Sequence, residues 1–296
     1  MNEEILNTIQ TLLDLTIIKF QNSQSAKSYF FDWQKSNQSN PNFSCILNTS
    51  INSTNPEEIQ FCLESILSLS IKISLLREQY IKTNSLDLQK LQKIGIEKVS
   101  KMLFEKDFYS WMIEENDDTI KKEILCLSNK LESYSYFNDI YECLFEGTGR
   151  KSKGQFFTEK DLADFIIRTA HFKPKDNQTN YLLDPASGAG AFIVALFDTF
   201  KNEKNVSIFG VDKSYFACVL SRIVYLKKYF QLYNKYPDFI PIFWMDFLVD
   251  FNIRQFIESS QPKKIIGPYS SLENKGINYL LYCQLAFKLV SFMVPL

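Results

Sequence analysis

The stretch Asp184-Pro185-Ala186-Ser187-Gly188-Ala189-Gly190-Ala191-Phe192 constrains this chain more than any other. It follows the apolar run Tyr181-Leu182-Leu183 and leads into the helix-like Phe192-Ile193-Val194-Ala195-Leu196-Phe197, so a glycine turn stands between a strand and a helix. Glycines there let the backbone turn tightly and approach a ligand, which is the geometry of a nucleotide-type cofactor loop. From Asn180 onward, strand and helix signals alternate. Strands are expected over Tyr181–Asp184, Val206–Val211, Ile240–Met245 and Lys264–Gly267, and helices over Ala191–Lys201, Tyr215–Tyr229, a short stretch near Arg254–Glu258, and Ile277–Leu289. Ser291–Val294 begins a fifth strand. This order predicts an α/β domain over residues 147–296, a parallel sheet with helices on both faces.

Residues 1–146 have a different texture, that of an all-helical module. Ile5, Ile9, Leu12, Leu13, Leu15, Ile17 and Ile18 recur near helical spacing within Glu4–Ser23, and a second helix is expected over Ala26–Gln34. Ser36–Asn55 is rich in Asn and Ser, has no periodicity and reads as a loop. Asn55-Pro56-Glu57-Glu58 then starts a helix to about Lys82, with a capping Asn, Pro at the first helical position and carboxylates at the positive end of the dipole. Further helices are expected over Leu86–Phe104, Thr119–Tyr134 and Asn138–Phe145, with no internal repeat and no strand before Asn180.

The 33 Lys and Arg against 34 Asp and Glu leave a net charge of −1, weak for a chain that grips nucleic acid unaided. If DNA is the substrate, other segments or partners supply much of the contact. The acidic start Met1-Asn2-Glu3-Glu4 does not have the form of a signal peptide, and no apolar run spans a bilayer, so a cytoplasmic protein without membrane contact is expected. Cys45, Cys62, Cys126, Cys143, Cys218 and Cys283 stand singly, which signals neither a disulfide framework nor a zinc site. Asn48-Thr49-Ser50 and Asn52-Ser53-Thr54 match a glycosylation pattern, read here as a polar loop. The single histidine, His171, falls late in a helix, where it would complement the dipole, and offers no metal cluster or histidine-based triad.

Gly188, Gly190 and Asp212 suit a nucleoside ligand, because an acid at the end of the next strand can receive both ribose hydroxyls. A dinucleotide site would ask for a third glycine where Ile193 stands, and would set Asp184 against a pyrophosphate. A carboxylate there is better matched to a cation. S-adenosyl-L-methionine is such a ligand, with its ammonium and sulfonium groups. Asp246, at the end of the third strand, can accept from an adenine amino group, and Phe192 or Phe247 can offer apolar contact to the ring. Thr158 with Asp161 has the spacing of a helix capping box, and a helix amino terminus is itself a carboxylate site.

Tyr141-Glu142-Cys143-Leu144-Phe145, the basic loop over Gly147–Gly154, Gly154-Gln155-Phe156-Phe157-Thr158 and the glycine turn resemble the amino-terminal part of the N6-adenine DNA methyltransferase family. The similarity is to the methylation subunits of type I restriction systems and to fused restriction-modification enzymes, and it extends from Asn138 to Leu296. It implies a Rossmann-like, S-adenosylmethionine-dependent methyltransferase fold acting on DNA, with a specificity or target-recognition subunit as companion. By the same resemblance Thr158 helps hold the cofactor carboxylate, Asp184, Gly188 and Gly190 line the methionine moiety, Asp212 takes the ribose and Asp246 the adenine. Ala186 and Phe192 join this set, and Phe156 and Phe157 flank the cofactor or belong to the core.

The family's catalytic motif is Asn-Pro-Pro-Tyr after the fourth strand, where this chain has Ile265-Ile266-Gly267-Pro268-Tyr269. An exocyclic adenine amine is a poor nucleophile because its lone pair is delocalised into the ring. Acceptors from the Asn side chain and the adjoining backbone localise that pair, and the tyrosine stacks on the flipped base. Pro268 and Tyr269 are therefore the catalytic candidates of a degenerate motif, with no polar side chain at the Asn position. Phe292-Met293-Val294-Pro295 resembles the fifth-strand motif, after which the family continues into further strands and a target-recognition region. Several readings stay open: an adenine-specific DNA methyltransferase or a piece of one, a non-catalytic cofactor- or DNA-binding subunit, a methyltransferase for another planar amide such as glutamine, and a remnant without function.

Overall fold

The computed structural model describes residues 3–36, 55–81, 103, 107–115, 117–130, 158, 160–176, 180–203, 205–237 and 240–247, with the backbone alone at 76–81 and 129–130. The chain divides into two compact units, Met1–Phe156 and Phe157–Leu296.

In the first unit the described elements are all helical: α1 (Glu3–Asn22), α2 (Gln24–Ser36), α3 (Pro56–Ile81), α4 (Trp111–Glu114) and α5 (Asp118–Lys130). The helix α1 packs on α3 and α5 through the periodic set Ile5, Ile9, Leu12, Leu13 and Ile17. The start of α3 is capped as its sequence implies, since the Glu57 amide donates to Asn55 Oδ1 at 3.0 Å and Pro56 needs no donor there. From Phe61 to Lys72 every residue of α3 is buried, so this helix is the core of the unit. Around it Phe20, Phe30, Trp33 and Phe61 form a ring cluster, with centroids 5.4 Å apart for Phe20–Phe30 and for Phe30–Phe61, and 5.6 Å for Trp33–Phe61.

That core also holds charged groups, and two of them are paired. Glu64, 1% exposed, accepts from Trp33 Nε1 at 3.1 Å, Tyr109 Oη at 2.8 Å and Gln60 Nε2 at 2.9 Å. Lys72 is fully buried and pairs with Asp107; burial pushes its pKa below the ordinary lysine range and the Asp107 carboxylate opposes that shift. The short helix α4 was not expected. Its four residues are too few to show a period, and it follows a turn in which the Tyr109 amide donates to Asp107 Oδ1 at 3.1 Å.

The second unit contains α6 (Lys160–Thr169), β1 (Asn180–Asp184), α7 (Ala191–Thr199), β2 (Val206–Asp212), α8 (Tyr215–Tyr233) and β3 (Ile242–Trp244). The strands form one parallel sheet in the order β1-β2-β3. Asp184 pairs with Gly210 and Asp212 with Trp244, so β2 runs two residues past the end of β1. One face carries Leu183, Val211 and Phe243 with Phe209, Met245 and Phe247 around them. On the other, Trp244 meets Tyr215 of α8 with ring centroids 4.9 Å apart, and α8 packs in turn on α7 through Phe197 and Tyr225. Both described crossover helices thus lie together, while the elements expected beyond Phe247 fall outside the described residues.

Strand β3 is shorter than Ile240–Met245. Ile240 and Pro241 form a turn, with the Ile242 amide on the Ile240 carbonyl at 2.9 Å, and Pro241 contributes only its carbonyl, to Gly210 at 3.0 Å. Arg222 of α8, 2% exposed, anchors the strand by donating from Nε at 2.9 Å and from its Nη2 at 2.6 Å to the Ile242 carbonyl. His171 lies just past α6, exposed and left-handed at φ 50°, a backbone stop of the kind that Gly or Asn usually supplies. No helix among the described residues is long and apolar enough to cross a membrane.

The Glu64 network yields a direct test. Glu64→Ala leaves three donors without their acceptor and should cost the first unit about 2–4 kcal/mol, read as a lower midpoint in urea unfolding followed by tryptophan fluorescence.

Candidate cofactor site

The glycine turn is built by the overhang of β2. Beyond Asp184 the chain folds back along the two extra residues of β2, where the Ser187 amide donates to the Val211 carbonyl at 2.8 Å and the Gly188 amide to Asp212 Oδ2 at 2.8 Å. Asp184 Oδ1 accepts from the Ala186 amide at 3.1 Å, closing an Asx turn, and the Gly190 amide reaches the Ser187 carbonyl at 2.8 Å. Gly188 and Gly190 have φ of 50° and 93°. At Gly190 the left-handed backbone favours glycine, and a Cβ would also lie a tight 3.3 Å from Ser221 and Val224.

The Asp212 carboxylate does two jobs. Its Oδ2 holds Gly188, and its Oδ1 accepts from the Ser214 amide at 2.8 Å, orienting the turn into α8, where Ser214 Oγ in turn accepts from the Ala217 amide. Charge-assisted bonds of this kind are stronger than neutral ones. Burial nevertheless pushes the pKa of Asp212 up, against the lowering effect of its amide donors and of Lys213. The Trp244 indole donates to the Lys213 carbonyl at 3.1 Å and the Met245 amide to the Asp212 carbonyl at 3.0 Å, so the end of β3 braces the same turn.

Asp184 is the unusual group. It is buried in the strand end, its Oδ2 has no hydrogen-bond partner, and burial pushes its pKa up to about 7, helped by the nearby Asp212 and opposed by the Ala186 amide. Ser187 Oγ is likewise buried without a partner. A buried carboxyl with one oxygen left over at the mouth of a glycine turn fits a cationic ligand group. It does not fit a pyrophosphate, and Ile193, fully buried, fills the place of a third glycine.

Asp184, Asp212 and Asp246 stand at or just past the carboxyl ends of three adjacent parallel strands, where ligands of open α/β sheets bind. Asp246 is half-buried two residues beyond β3. Ala186 is exposed on the turn and Phe192 half-buried in the first turn of α7. Thr158 is half-buried and precedes α6, which packs on α7. The helix is described from Lys160 onward, and Glu159, which joins it to Thr158, lies outside the described residues. Phe156, Phe157, Pro268 and Tyr269 lie outside the described residues. Ser214, Trp244 and Arg222 were not anticipated; only Ser214 carried a signal, as a capping residue directly before an apolar helix.

Residues 132–228 match the family model described as N-6 DNA Methylase. That segment contains Thr158, the glycine turn and Asp212. No curated protein matches the chain. Solved structures similar to it include a cryo-electron-microscopy structure of a DrdV–DNA complex, at 17% identity and a TM-score of 0.48 over 81% of this chain and 24% of that one. The ATP-dependent Type ISP restriction-modification enzyme LlaBIII bound to DNA is similar at 16% identity and a TM-score of 0.40, over 80% of this chain and 17% of that one. A nuclease-deletion mutant of the Type ISP enzyme LlaGI with a DNA substrate mimic is similar at 14% identity and a TM-score of 0.40, over 92% of this chain and 22% of that one. The chain thus spans a quarter or less of the length of these proteins.

The Asp184 environment sets a pH dependence. Because the folded site raises this carboxyl from 3.8 to about 7, the folded state holds the proton more tightly. The stability contributed is full below the unfolded value and is lost as pH rises through about 7. Asp184→Asn mimics the protonated form, so its melting temperature should exceed that of the wild type at pH 8 (a measurement by circular dichroism), with the gap narrowing towards about pH 5.

Proposed function

We propose that residues 147–296 form a Rossmann-like methyltransferase domain that binds S-adenosyl-L-methionine and belongs to an N6-adenine DNA methylation activity of a restriction-modification system. The observation that carries this reading is the glycine turn latched to Asp212 with the unpartnered Asp184 carboxyl beside it, inside the segment matched by the N-6 DNA methylase family model. When bound, S-adenosylmethionine supplies an electrophilic methyl group. Asp184 would take its ammonium group, the Gly188–Gly190 backbone and Ala186 the methionine moiety, Thr158 its carboxylate, Asp212 the ribose, and Asp246 the adenine, with Phe157 and Phe192 as apolar neighbours. Asp212 can add this role to its present bonds, because each carboxylate oxygen accepts more than one donor. Pro268 and Tyr269 would face the target adenine. DNA and a specificity or target-recognition subunit are the partners of this reading, the cytoplasm its compartment, and residues 1–146 a helical module attached to the methyltransferase domain.

A second reading rests on Ile265-Ile266-Gly267-Pro268-Tyr269, which has no side-chain acceptor where the family has Asn. Losing such a group removes several kcal/mol of transition-state stabilisation. The chain would then bind cofactor, DNA or a partner without transferring methyl.

Calorimetric titration of the full chain with S-adenosylmethionine should give one site, weakened at least about thirtyfold in Asp184→Ala because a buried charge pair is broken. Absence of binding by the wild type rejects the cofactor assignment. Transfer of labelled methyl to unmethylated DNA separates the two readings, since binding without transfer supports the second.

A further inference from the structure

The site holds two carboxylates around one glycine turn, and only one of them is neutralised by hydrogen bonds. Both Asp212 oxygens accept backbone amides at 2.8 Å, whereas Asp184 has one amide at 3.1 Å on Oδ1 and nothing on its buried Oδ2. Among the described residues the surrounding elements offer no cation to it. The first turns of α7 and α8 carry no charged residue, and on α6 Lys160 is engaged by Asp164 at 3.0 Å and by Asp198 at 3.7 Å. Lys228 of α8 is held by Asp198 at 2.7 Å, and Lys213 acts on Asp212. The charge that acts on Asp184 is that of Asp212, of the same sign.

We propose that binding of the ligand's ammonium group beside the unpartnered Asp184 oxygen is coupled to release of the Asp184 proton to solvent. The inference rests on the S-adenosylmethionine reading of the site and adds to it a proton linkage. Without ligand, an ionised Asp184 would be a buried anion with one oxygen unsatisfied beside a second anion, which favours the neutral acid. The elevated pKa of about 7 is the same effect. With the ammonium in place the carboxylate becomes one half of an ion pair. The balance is simple: the O–H bond of Asp184 breaks, the proton goes to buffer, and no other bond changes.

The test uses the full-length wild-type chain and calorimetry with S-adenosylmethionine at pH 6.0 in two buffers of different ionisation enthalpy. At this pH the ligand's own α-amino group, with a pKa of about 8, stays protonated and contributes nothing. The expected result is release of nearly one proton per ligand bound, and an affinity that rises by up to about tenfold between pH 5.5 and pH 6.5. 5′-Methylthioadenosine, which lacks the ammonium group, should bind without proton release. Binding of S-adenosylmethionine with equal affinity at both pH values and no release overturns the coupling while leaving the cofactor assignment intact. Undiminished release in Asp184→Asn overturns it as well. No binding of S-adenosylmethionine at any pH overturns the cofactor assignment, and the coupling with it.

Discussion

Much of the second unit depends on the bond from the Gly188 amide to Asp212 Oδ2. It joins the turn after β1 to the end of β2, and the opposite oxygen of the same carboxylate sets the turn into α8. One side chain therefore fixes the mutual placement of two crossover connections. It can do so because β2 outruns β1 by two residues and places the carboxylate beside the folded-back turn. A carboxylate in this position serves as both scaffold and ligand group, and the two uses do not compete, since two backbone amides leave acceptor capacity unspent.

The scaffold also explains why Asp184 is tolerated. A buried, half-satisfied acid weakens a fold at neutral pH, and cores are usually free of such groups. The first unit shows the contrast, because Glu64 sits as deep and yet has three donors around it. The contrast between Glu64, saturated by donors, and Asp184, with one oxygen left over at the carboxyl end of a strand, is what marks Asp184 as a candidate ligand group.

The glycine turn, the parallel order of β1 to β3 and the acids at their ends were legible in the sequence because each has a local signature: apolar runs, Gly-x-Gly, a strand-end carboxylate. The helices α1 and α3 were legible for the same reason, through periodicity in one and an Asn-Pro cap in the other. What was not legible depends on distant partners. Strand β3 shrinks because Pro241 withholds a donor within a local turn, α4 is too short to carry a period, and the indole of Trp244 matters only because the Lys213 carbonyl is opposite it. Both oxygens of Asp212 being taken by amides is likewise a tertiary fact that no motif spells out.

Arg222 carries a consequence for how this unit comes apart. Its guanidinium ends inside the protein on the carbonyl of the first β3 residue, so a three-residue strand that would ordinarily fray is tethered to the middle of a long helix. Peeling β3 away would strand a charge in an apolar interior, and unwinding α8 would free the strand. Opening of the strand and opening of the helix are therefore coupled, and the amides of the strand that leads to Asp246 are expected to exchange together with those of the helix.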